Sequence, residues 1–264
     1  MNTHANLTRL YEACGFILKN SMATRLVGAG DPDHFVGIAG PTLQNGTGHL
    51  RSNNSVAHER KLWRAKKIAY ALSFLPFVRA IAVCNSLALH MVHEDSDIDL
   101  FIVAAPGRVW SARFWVTGAL AVARMRPGEA RLDPVCVSFF IDESTTNLAH
   151  LEIERDIYFL YWMRSLLPLF GAHPLFESGA HTPREFRITH ARAATLSARA
   201  FEFCARLIPE NFLFTQQKKI MPSELLAAAE KNDTSVVLSE KIIKLHLNDR
   251  RAEIRDKVFG TNIQ

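Results

Sequence analysis

The sequence predicts an α+β protein, with a small mixed β-sheet flanked by helices and followed by an all-helical C-terminal region. Three observations predict it. Apolar, strand-like runs at Arg79–Cys84, Asp97–Ala104 and Val135–Ile141 alternate with helical patterns. From about Thr145 onward the periodicity is helical. With 264 residues, 48% of them hydrophobic, the chain can bury a sizeable core, as one large domain or two small ones. The expected organisation is residues 1–57 as an N-terminal helix and flexible linker, 58–145 as the α/β core, and 146–264 as a helical domain.

The elements follow in order. Leu7–Lys19 is a helical candidate with Leu10, Ala13, Cys14 and Ile17 on one face. Gly28–Asn54 is rich in Gly, Pro, Asn and Thr and reads as a linker, with room for a short strand at His34–Ala39. Lys61–Leu75 is an amphipathic helix with Leu62, Ala65, Ile68, Ala69 and Leu72 inward. Arg60, Lys61, Arg64, Lys66 and Lys67 decorate its exposed side, a solvated face with phosphate contact as the functional alternative. Pro76 closes that helix because its ring cannot continue the hydrogen-bond ladder.

The first strand leads into Asn85-Ser86, and Pro106-Gly107 turns the chain after the second. Val109–Met125 is a helix whose Trp110, Phe114 and Trp115 read as core, broken at Arg126-Pro127-Gly128. Beyond the third strand, helices are expected at Leu148–Leu167, Thr189–Leu207, Ser223–Lys231 and Ser239–Val258.

The net charge of +5 suits a phosphate-bearing partner without requiring nucleic acid. Cys14, Cys84, Cys136 and Cys204 are scattered and apolar in context, so they read as buried free thiols of a reducing cytosol. Phe114–Ala123 lies between Arg113 and Arg124, and Ile157–Phe170 contains Arg164, so neither is an uncharged span long enough for a bilayer. Residues 1–15 lack a basic flank followed by an apolar run. A cytoplasmic protein with no membrane partner is expected.

The chemistry centres on Asp97-Ile98-Asp99. Residues two apart on a strand share a face, so the two carboxylates stand together while Ile98 points into the core. Carboxylates that close raise each other's pKa unless a cation sits between them, and a hard divalent ion is the natural occupant. The nearby His90, His93, Glu94 and Asp95 read as a solvated polar turn, since zinc needs further ligands in fixed geometry.

The order of strand and acids is informative. In phosphatases with an aspartyl nucleophile, and in sugar-nucleotide glycosyltransferases, the apolar strand precedes the pair. Here Leu100-Phe101-Ile102-Val103 follows it. A strand, Asn85-Ser86, ten residues, and then Asp97-Ile98-Asp99 opening the next strand resembles the nucleotidyltransferase superfamily typified by DNA polymerase β. That family's signature is a strand, a Gly-Ser turn, a short helix and [DE]-x-[DE]. The match covers about residues 60–142. A fainter similarity, to bacterial nucleotidyltransferase-domain proteins of unassigned substrate, lies in Pro76-Phe77-Val78-Arg79, Gly107-Arg108-Val109-Trp110 and Asn248-Asp249-Arg250-Arg251.

The resemblance implies transfer of a nucleoside monophosphate from ATP or another NTP to an acceptor: a small molecule, a protein or an RNA. It implies two Mg²⁺ (or Mn²⁺) ions held by three carboxylates. Asp97 and Asp99 would be two of them, Asn85 and Ser86 would hold the triphosphate tail, and Arg108 and Arg113 would offset phosphate charge. The third belongs on the later strand, whose interior has no acid; Asp133 before it is favoured over Asp142 after it. Asn85 stands where the family has glycine, and asparagine tolerates the left-handed turn. The alternative is a degenerate, non-catalytic relative that binds nucleotide, nucleic acid or a protein partner.

Overall fold

The structure is a computed structural model that describes residues 53–89, 92–177, 182–189, 192–231 and 233–259. The helix expected at Leu7–Lys19, the strand at His34–Ala39, and His90 and Cys14 lie outside the described residues.

Helix α1 (Asn53–Leu72) leads into β1 (Val78–Val83), and the short α2 (Asn85–Ala88) connects β1 to β2 (Ile98–Ala104). Helix α3 (Val109–Val122) then carries the chain back to β3 (Val135–Asp142). The strands β1 and β2 are antiparallel, while β2 and β3 are parallel, which is why a helical crossover stands between the latter two.

The region expected to be all-helical departs from that reading. It supplies α4 (Ile157–Ser165), α5 (Arg192–Ala205), α6 (Glu210–Lys219), α7 (Ser223–Glu230) and α8 (Arg251–Phe259). It also supplies β4 (Leu167–Phe170), β5 (Val236–Leu238) and β6 (Ile242–Leu245). All join one mixed sheet in the order β4-β1-β2-β3-β6-β5. The boundary expected after residue 145 therefore cuts a sheet that both parts build. β4 occupies an edge, where Pro168 costs no ladder bond in the interior. β6 is buried at Ile242, Ile243 and Lys244 alike, so it shows no alternation to set it apart from a helical segment.

The sheet divides two apolar layers. Leu62, Ala65, Ile68 and Leu72 of α1 pack with Val109, Val116 and Leu120 of α3 against Ile81, Leu100, Ile102 and Phe140. On the opposite face Phe101, Val103 and Phe139 meet Phe159 and Trp162 of α4 and Phe176. Ring centroids of 5.0 Å for Phe101–Phe139 and 5.2 Å for Phe139–Trp162 close that layer. Alternation along β2 sends Ile98, Leu100 and Ile102 to the first layer, so Asp99 falls on the α4 side with Phe101. No described helix is long and apolar enough to cross a membrane.

Candidate functional site

β1 ends at Val83, and the chain turns at Asn85 in the left-handed region, φ +55°. An asparagine accepts this conformation at small cost, so the turn survives without glycine. Cys84 donates its N–H to the Asp99 carbonyl at 3.0 Å, which sets the turn directly beside the start of β2. The Asn85 side chain accepts from the Trp162 indole N–H at 2.7 Å. The same amide lies against the Asp99 carboxylate and favours its charged form. Thus Asn85 links helix α4 to the aspartate strand. Ser86, in the first turn of α2, is half-buried.

Asp97 and Asp99 sit together, as their spacing requires, while Ile98 is fully buried. Burial raises the Asp97 pKa, with the Lys61 charge opposing it. Burial pushes Asp99 up further, to about 7, aided by the Asp97 charge and opposed by Asn85 and Cys136. Among the described residues neither aspartate forms an ion pair with an arginine or lysine. On β3, Cys136 pairs with Asp99 across the parallel ladder. Burial, followed by the two aspartate charges, lifts that thiol to about 12.

Asp133 lies at the same end of the sheet, as the parallel register of Ile98 with Val135 dictates. Its carboxylate, however, is taken. Lys61 donates to Oδ1 at 2.6 Å, and Arg60 reaches both oxygens, at 3.0 and 3.2 Å. Burial opposes ionisation of Asp133, but these hydrogen bonds and charges together hold its pKa below the usual carboxylate value. Lys61 is not the exposed residue of the sequence expectation; it is fully buried and completes its three donors on the Glu94 and Ser96 carbonyls at 2.9 and 2.7 Å. Asp142 is excluded by position. It pairs with Ala104 at the far end of β2 and accepts from the N–H groups of Gly107 and Ser144.

Arg108 and Arg113 do not join the site, contrary to the sequence expectation. They follow the end of β2, and Ala104 lies five residues along the strand from Asp99, about 17 Å. Arg108 donates to the Ile208 carbonyl and stacks over Phe77. Arg113 donates to Gln217 of α6 at 2.6 Å, and burial lowers its pKa to about 10. Both bind α3 to the region around α6. Of the thiols, Cys84 is buried, Cys136 half-buried and Cys204 exposed, so Cys204 departs from the buried-thiol reading.

Sequence reasoning missed the cleft beside Asn85, about 330 Å³ in volume. Tyr158, Phe159 and Trp162 of α4 form one wall, while Lys244, His246 and Arg251 come from β6 and the chain after it. The Asn248-Asp249-Arg250-Arg251 string also lines it. Arg251 bonds Asp249 and Asp156, and Lys244 bonds Asp249 at 3.2 Å, so these charges are internally paired. Burial lowers the His246 pKa to about 4, helped by Lys244, so its imidazole is neutral at pH 7.

Lys61 did carry a signal. It precedes Ala65, Ile68 and Leu72 by four, seven and eleven residues, which places it on the apolar stripe. Among the described residues, no three His, Cys, Asp or Glu side chains form a metal-binding group; the two aspartates stand without a third. Comparisons with protein-family models, curated proteins and solved structures each return no match.

Proposed function

We propose that this protein is a metal-dependent nucleotidyltransferase that transfers a nucleoside monophosphate from an NTP, most simply ATP, to an acceptor. The observation that carries this reading is the Asp97–Asp99 edge. Two neighbouring carboxylates are partly desolvated, have no ion-paired cation among the described residues, and stand beside the Asn85-Ser86 turn. A protein holds carboxylates in so costly a state where a ligand uses them. The donor set suits a hard divalent ion: Mg²⁺ binds through one or two carboxylates and takes its remaining oxygens from water and substrate phosphates. When bound, such an ion supplies charge for the triphosphate. Asp97 and Asp99 hold it, and Ser86 with the N–H groups of its turn holds the phosphate tail.

Thermal unfolding with ATP, with and without Mg²⁺, tests this directly. A ligand that binds only the native state at a hundred times its Kd adds about 2.7 kcal/mol of stability. The stabilisation should require Mg²⁺ and vanish in Asp97→Ala/Asp99→Ala. A shift that is absent from the wild type, or that persists in the double variant, sinks the reading.

A second reading, a non-catalytic relative that binds nucleotide without transferring it, is favoured by one observation. The acid expected to complete the metal ligands is consumed by Arg60 and Lys61. Incubation with labelled ATP and a cell extract separates the two, since only the enzyme moves label into RNA, protein or a small molecule.

A further inference from the structure

The two-ion scheme implied by the resemblance needs a third carboxylate, and the surroundings of Asp133 bear on whether this chain can provide it. The Asp133 side chain is 1% exposed and its oxygens accept three charge-assisted hydrogen bonds, one from Lys61 and two from Arg60. A divalent ion placed there would face an ammonium and a guanidinium already bonded to the same oxygens. Lys61 in particular has nowhere to withdraw to. Lys61 is fully enclosed and its other two protons are committed to the Glu94 and Ser96 carbonyls. Arg60 also holds the Glu94 carboxylate at 2.8 Å.

These bonds give Asp133 a different task. Together they tie α1 to the turn at 93–96, which is also closed by the Ser96 N–H on the His93 carbonyl and the His93 N–H on the Ser96 hydroxyl. Asp97 is the next residue. The position on β3 that faces Asp99 holds Cys136, a soft sulfur that hard ions do not choose. We infer that the Asp97–Asp99 edge binds a single divalent ion, and that Asp133 is the buried anchor of the Lys61–Arg60 clamp and not a metal ligand. This rests on the nucleotidyltransferase reading and narrows it: the described residues supply ligands for one ion at the triphosphate and no carboxylate for a second.

Mn²⁺ titration followed by electron paramagnetic resonance, with a non-hydrolysable ATP analogue saturating the protein, tests the inference. The wild type should bind one Mn²⁺ per chain. Asp133→Asn, with its fold checked by circular dichroism, should keep the Mn²⁺ Kd within about twofold, whereas Asp97→Asn should weaken it at least tenfold. Two ions on the wild type, or a tenfold loss in folded Asp133→Asn, overturns the single-ion site and leaves the proposed activity standing. An unchanged Kd in Asp97→Asn places the ion elsewhere and overturns it too. Absence of Mn²⁺ binding to the wild type removes this inference and the proposed function together. If Asp133→Asn does not fold, the wild-type stoichiometry alone decides.

Discussion

Asp99 and Asp133 belong to neighbouring parts of one sheet end, yet their surroundings drive them in opposite directions. Burial disfavours the charge of both. At Asp133 two cations more than offset that cost and its pKa falls. At Asp99 an amide and a thiol offset it only in part and its pKa rises to about 7. A carboxylate whose partners lie inside the protein serves the fold; one left without a cation is where an external ion has something to gain. Of these acids, Asp133 is thus a structural anion, while Asp97 and Asp99 have no ion-paired cation among the described residues.

The largest expected effect breaks the satisfied side of this comparison. Lys61→Ala removes the buried partner of Asp133 together with two bonds to the 94–96 turn, and should cost about 3–5 kcal/mol in urea unfolding. A loss within 1 kcal/mol, the range of exposed ion pairs, would show that the clamp is not closed in solution.

Next comes the pH dependence, which should differ in sign between the two acids. Asp99 has a raised pKa, so its contribution to stability is fully present below the unfolded value of about 3.9 and is lost as pH rises through about 7. Asp133 has a lowered pKa, so its contribution is present above about 3.9 and is lost as pH falls through its folded value. Asp99→Asn should therefore stabilise the metal-free protein at pH 8, by at most about 4 kcal/mol and by less where water screens the edge. At about pH 3, where Asp99 is protonated in both states, the gain should disappear. Thermal unfolding of both proteins across this range is the measurement, and a gain independent of pH would assign the effect to something other than charge.

The smallest effect sharpens the link between α4 and the aspartate strand. Trp162→Phe keeps most of the ring but deletes the indole N–H on Asn85, and should cost about 1 kcal/mol. Because it frees the Asn85 amide beside Asp99, it should also change the Mg²⁺-dependent stabilisation by ATP. An unchanged ATP response would mean that the turn holds its shape without α4.

Much of the core was legible because local patterns there agree with the final packing. Strands β1, β2 and β3 and helix α3 lie within a few residues of their expected positions, while α1 begins eight residues before the expected Lys61; Leu62, Ala65, Ile68, Ala69 and Leu72 face inward as their spacing requires. The strands β4 and β6 were hidden for a local reason. Leu167–Phe170 is four residues long with a proline, and Ile242–Lys244 is buried without alternation. The same limit applies to the site. Asp97, Asp99 and Asn85 were readable because they lie in one short stretch, whereas the partner of Asp133 comes from 72 residues earlier and that of Asn85 from 77 residues later.

By itself, then, the sequence determined that two carboxylates share one strand face beside a left-handed asparagine turn, since strand period and backbone preference are local properties. Only the tertiary structure decided which acid stays without a cation. That depends on which side chains arrive from α1 and α4, and on desolvation, which has no value until the sheet has packed. Arg108 and Arg113 make the point from the other direction. They lie close to the aspartates in sequence, but they follow the far end of an extended strand that rises about 17 Å from Asp99 to Ala104, and α6 and the chain before it hold them in place.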